Sequence, residues 1–145
     1  MAFLNRDAEG KNQLTLVNGD KTQTLPLFGN RLVDMSWSPD GSTLAVSAAN
    51  VSDYSGLTLA SKLYFVQWPA SLDKVLELTD EAAIERHVWS PDGKSLLLVT
   101  RKVTGAQVQF NFSVLDAAAQ TQIPALGFDW MSEEYLVLQP VFWLP

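Results

Sequence analysis

A chain of 145 residues with 47% hydrophobic and 18% charged content has the size and make-up of one globular domain, not of a disordered segment. Its 16 acidic residues against 10 basic ones, net −6, contain no basic cluster, which argues against a nucleic-acid partner, because that affinity rests on Lys and Arg neutralising phosphates. The lack of Cys excludes disulfides, a thiol nucleophile and Cys-held metal, and no run reaches the roughly 18 apolar residues of a membrane helix.

In chain order, Met1–Leu4 reads as a short strand, followed by the polar turn 5–12 and the strand Gln13–Val17. Asn18-Gly19-Asp20 is a tight hairpin turn into a third strand, Thr22–Phe28, which Pro26 assigns to a sheet edge. Leu32–Trp37 and Thr43–Ala49 are strands, Asn50–Ser61 a polar loop, and Lys62–Trp68 a strand closed by Pro69. Lys74–Thr79 reads as an outer strand, Asp80–Ala83 as one helical turn at most, and Ile84–Trp89 as the next strand. Ser95–Val103 and the strictly alternating Gln107–Leu115 follow, then a short strand Thr121–Ala125, an entering strand Leu126–Trp130, a strand Tyr135–Leu138 and the apolar tail 139–145. No stretch sustains helical periodicity, so the fold class is all-β.

One stretch organises the rest. Trp37-Ser38-Pro39-Asp40-Gly41 returns unchanged as Trp89-Ser90-Pro91-Asp92-Gly93, and 89 − 37 = 52. A worn third copy is read at Trp130-Met131-Ser132-Glu133-Glu134, and 130 − 89 = 41. Pro39 and Pro91 preset φ at the second turn position, Asp40 and Asp92 bond the local backbone, and Gly41 and Gly93 take positive φ. Each turn joins two β-rich runs into a hairpin with a Trp just before it, where the indole packs between sheets. A period of forty to fifty residues is that of a propeller blade of four strands.

The pentapeptide, the strand after it and the run Leu63-Tyr64-Phe65-Val66 resemble the TolB-type, WD-like β-propeller repeat. The opening Ala2–Asp7, Gly10 and Gln13–Asn18 is similar to the segment after that repeat's own turn, so the resemblance covers nearly the whole chain. The chain departs from the family at the position two before each Trp, often Pro there and here Met35, His87 and Phe128. The resemblance implies that the strand ending in Trp is innermost and the next three run outward. It divides the chain into a partial blade 1–30, blades 31–83 and 84–125, and a partial blade 126–145. About three blades fall short of the ~4 that a ring requires. Two copies therefore close a six-bladed homodimer, the strand near Trp130 completing the blade begun by the other chain's Met1–Phe28, or else the chain is part of a longer propeller. The apolar tail Pro140–Pro145 favours association.

The sequence contains no nucleophile elbow, phosphate loop or dinucleotide turn, and His87 is its one histidine, so no catalytic constellation, cofactor or metal site is expected. Asp40 and Asp92 are explained as turn residues, not metal ligands. Asp34, Glu85, His87 and Asp129 lie on or near inner strands and are the candidate binding residues, as an acidic channel lining or as scattered solvated charge. Trp37, Trp89 and Trp130 are expected in the core; Trp68 and Trp143 are less constrained and suit contact. The favoured function is a non-catalytic module binding a protein or peptide. The alternatives are an accessory propeller of a peptidase or other hydrolase and a glycan-binding propeller. With no apolar signal core at its N-terminus the chain as written reads as cytoplasmic, and as periplasmic or secreted if it is a fragment of a longer protein.

Overall fold

The computed structural model describes residues 1–52, 58–69, 71–78, 82–105, 107–119 and 122–130. These form three antiparallel sheets. The first is β1 (Ala2–Arg6), β2 (Asn12–Asn18) and β3 (Lys21–Pro26), in that order. The second is β4 (Arg31–Trp37), β5 (Thr43–Val51), β6 (Thr58–Gln67) and β7 (Ser71–Leu78). The third is β8 (Ala82–Trp89), β9 (Ser95–Thr104), β10 (Gln107–Asp116) and β11 (Gln122–Trp130), each strand pairing with the next in sequence. Each full sheet thus begins with a strand ending in a motif Trp, the order expected of a blade.

Alternation along the strands makes the core. In β5, Leu44 and Val46 face the first sheet and join a cluster with Leu14, Leu16 and Leu27, while Ala45 faces the third sheet and packs with Leu63, Phe65, Ile84 and Leu98. The second sheet is therefore buried on both faces, and β5 reads as a nearly continuous run of buried small and aliphatic residues. Gly29, between β3 and β4, is held at φ 75°, and a Cβ there would lie 2.1 Å from the Ala49 carbonyl oxygen. The chain can make this close approach only with glycine. The crossing is locked by Asn30, whose Nδ2 donates to Val51 O at 2.8 Å and whose Oδ1 accepts from Val51 N at 2.9 Å.

Three expectations change. The stretch 50–61 is not all loop: β5 runs to Val51 and β6 begins at Thr58. Ala82 and Ala83 open β8 instead of closing a helical turn, because they pair with Lys102 and Arg101. The largest change concerns residues 122–130. They form one strand along β10, interrupted by a register shift at which Ser113 faces Pro124 and Phe112 faces Leu126. That bulge leaves Ala125 as the extra residue beside Pro124, which has no N–H to give the ladder. The boundary read between Thr121–Ala125 and Leu126–Trp130 thus falls inside one strand. Trp130 ends an outer strand, opposite Val108, and does not close the inner strand of a fourth blade. The strand Tyr135–Leu138 and the apolar tail lie outside the described residues.

Candidate functional site

The two motif turns are built alike. Gly41 N donates to Ser38 O at 2.8 Å and Gly93 N to Ser90 O at 2.9 Å, with glycine φ values of 71° and 70°. Ser38 Oγ accepts from Thr43 N and donates to Asp40 Oδ1; Ser90 Oγ does the same with Ser95 N and Asp92 Oδ1. The Ser38 hydroxyl, followed by the Ser42 amide, holds the Asp40 carboxyl down at about 2, and the Ser90 hydroxyl together with the Lys94 amide lowers Asp92. Asp40 spends both carboxylate oxygens on its turn, and Asp92 spends Oδ1. Among the described residues no group of three or more His, Asp or Glu converges into a metal site.

Asp34 and His87 meet between the inner strands. His87 N donates to Asp34 Oδ2 at 3.2 Å, and His87 Nδ1 lies 3.0 Å from Ser36 Oγ. The imidazole is 3% exposed, and its Nε2 has no partner among the described residues. Burial lowers its pKa from the ordinary value, against the smaller opposing pull of Asp34, so the ring is neutral at pH 7. Beside it, Trp89 Nε1 donates to Ser36 O at 3.1 Å, and the indole stacks on Phe65 with centroids 5.3 Å apart. This cluster is a packed joint between the second and third sheets.

Glu85 and Asp129 are elsewhere. Glu85 pairs with Arg101 at 2.6 Å, beside a shallow pocket of about 80 Å³ that also involves Arg31 and Thr58. Asp129 is in β11, the outermost strand of its sheet, opposite Gln109. The four candidate residues therefore do not form one acidic lining. Ser36, which bridges to both His87 and Trp89, was invisible to the repeat pattern because the second copy has Val88 at that position.

The open feature lies between the first and second sheets, at the end carrying the motif turn. A cleft of about 200 Å³ is lined by Met1, Leu16, Val17, Trp37, Val66 and Trp68, with Asn18 and Gln67 at its rim. Trp37, expected in the core, is 42% exposed, and Trp68, in the turn after β6, is 37% exposed. Among the described residues no strand stands beside Trp37 in the place that β4 holds beside Trp89.

The model of one family, described as eukaryotic translation initiation factor eIF2A, matches residues 26–138. The chain belongs to the eIF2A family. That match spans both motif copies and all eight strands of the two complete sheets. TolB from Acinetobacter baumannii, a solved structure, superposes on the chain with a TM-score of 0.54 at 16% identity, covering 85% of this chain and 29% of TolB. The chain thus spans less than a third of TolB's length when superposed, and at this identity the likeness is one of fold. A protein assigned as a 6-phosphogluconolactonase from Bacteroides fragilis gives a TM-score of 0.46 at 16% identity, covering 84% of this chain and 36% of that one. No curated protein matches the sequence. The eIF2A-family chain is therefore a stretch of β-propeller, as its repeat implies.

Proposed function

We propose that this chain is a non-catalytic propeller segment that binds a protein or peptide partner at the motif-turn end of its first two sheets, and that it completes its ring with a second copy of itself. The observation that carries the binding half is the cleft between Trp37 and Trp68. Trp68 sits in a turn, outside the repeat's packing scheme, and presents a large apolar face beside the polar groups of Asn18 and Gln67. An exposed Trp at a cleft with polar rim groups is the composition of an interface hot spot. The pairing of Asp34 with the His87 amide and of Glu85 with Arg101 supports the non-catalytic half, since these groups are engaged in holding the sheets. The family description is that of a translation initiation factor.

The test is selection of displayed random peptides on the immobilised chain. Aromatic or aliphatic sequences should be enriched, and Trp68→Ala should weaken the best of them by at least ~10-fold, about 1.4 kcal/mol, with the Tm unchanged. No enrichment, or binding indifferent to Trp68, would overturn the reading.

A further inference from the structure

We infer that the pocket between Arg31 and Arg101, where the second sheet meets the third, binds a single carboxylate group, carried by a small monoanion or by an acidic residue of a peptide. It lies at the opposite end of the strands from the cleft between Trp37 and Trp68. Arg31 opens β4 and Trp37 ends it; Thr58 opens β6 and Gln67 ends it. The pocket and the cleft share no residue.

The local chain path builds the site. Arg31 follows Asn30, which is fastened to Val51 by two hydrogen bonds, and it pairs with Ala49 at the end of the second sheet. On the third sheet, Ala83 pairs with Arg101 and Ile84 with Thr100, but Val99 is opposite Arg86. Glu85 is thus the extra residue of a bulge, a device that re-aims a side chain off the ladder. Its carboxylate meets Arg101 Nε at 2.6 Å. Arg31, Thr58, Glu85 and Arg101 are the polar lining of the pocket of about 80 Å³, and Val33 and Ile84 are part of its apolar wall.

The polar groups are more donor than acceptor. Arg31 is exposed, and its guanidinium makes no ion pair or hydrogen bond with a described residue. Arg101 gives its Nε–H to Glu85, and a guanidinium has further donors on its Nη atoms. Thr58 is 7% exposed, and its hydroxyl is bonded to no described residue. Two arginines against one glutamate leave a formal charge of +1 in a chain whose net charge is −6.

That balance selects the ligand. A monoanion neutralises the pocket, whereas a dianion such as phosphate would leave it negative beside Glu85, and like charges disfavour one another. The flat guanidinium fork matches the two oxygens of a carboxylate. The space is small, so the carboxyl group and its first methylene enter against Val33 and Ile84 while the rest of the ligand stays outside.

The test titrates the 145-residue chain at ~pH 6, where a Glu carboxyl of pKa ~4.3 is ionised, and follows the NMR signals of the arginine Nε–H groups. The probes are the tripeptide Gly-Glu-Gly capped at both ends, its Gly-Gln-Gly counterpart, propionate and inorganic phosphate. Arg31→Gln and Arg101→Gln assign the two signals. The Glu tripeptide should shift both of them saturably, and its Gln counterpart should bind at least ~10-fold more weakly. Arg31→Gln should weaken the Glu tripeptide by ~5-fold or more with the Tm unchanged, because the side chain is exposed. Propionate equal to the tripeptide would assign the site to a free monocarboxylate; a tighter tripeptide would assign it to a peptide. No saturable shift, a Gln counterpart that binds equally, phosphate that binds more tightly, or an Arg31→Gln chain that binds as before would overturn the inference. Trp68→Ala should leave the titration unaltered; if it abolishes the shifts, the tripeptide sits in the cleft and the carboxylate site is refuted.

Discussion

The two junctions of this molecule carry the same pentapeptide and come to different ends. At the second junction Trp89 is stacked on Phe65, bonded to Ser36 O and buried; at the first, Trp37 stands at an open cleft. The turns share one frame, since Ser38 and Ser90, Asp40 and Asp92, Gly41 and Gly93 make corresponding bonds at corresponding lengths, with the Ser42 hydroxyl an extra donor to Asp40. Turn geometry is therefore local and travels with the five residues. The burial of the tryptophan belongs to the neighbouring sheet: β4 covers Trp89, and no described strand stands in that place for Trp37.

The comparison is sharpened most by removing each indole in turn. Trp89→Ala deletes a buried ring together with its hydrogen bond and should lower the unfolding free energy by ~3–5 kcal/mol at every protein concentration. Trp37→Ala, followed by urea unfolding at a concentration where chains are separate, should cost only ~1–2 kcal/mol, because much of its surface is already in water. Equal losses would break the contrast between the junctions.

A second contrast is the pH response of the buried joint. The folded His87 has a lowered pKa through burial, while the unfolded imidazole titrates near 6.5. Below that value the unfolded chain takes up a proton that the folded one refuses, so stability is lost as pH falls from 7 toward 5. The slope from this one group is at most ~1.4 kcal/mol per pH unit. His87→Gln should flatten it, as measured by urea midpoints across that range, and an unchanged slope would place the pH dependence elsewhere. The first junction has Met35 at the position of His87 and contributes no such term.

The smallest expected effects test the sameness of the turns. Gly41→Ala and Gly93→Ala both put a Cβ on a residue at positive φ with no neighbour closer than 3.5 Å. Each should cost ~1 kcal/mol, from backbone strain alone. Markedly unequal losses would show that the turns are not independent of their junctions. In the same turns, Asp40→Asn should remove a stabilisation that is present above the ordinary carboxyl range and fades as pH falls toward about 2.

Much of the fold was legible because its signals are local. A Pro-Asp-Gly turn after a Trp, an alternating run such as Gln107–Leu115 and a repeat of 52 residues each have a short-range cause. The strand 122–130 was not legible as one strand, because the worn motif copy at Trp130 sets Leu126–Trp130 apart and the bulge that joins the halves depends on the partner strand β10. Trp130 looked like a motif residue for the same reason: its pairing with Val108 is set from across the sheet. Of the candidate site, the closeness of Asp34 and His87 followed from both lying on inner strands. The exposure of Trp37 did not, since nothing within five identical residues distinguishes a covered junction from an open one.

The claim that the open junction is filled by a second chain is tested most directly by the solution mass of the 145-residue chain, measured by light scattering on a sizing column. The account predicts 2 × 16.0 = 32.0 kDa. A monodisperse species of 16.0 kDa would contradict it.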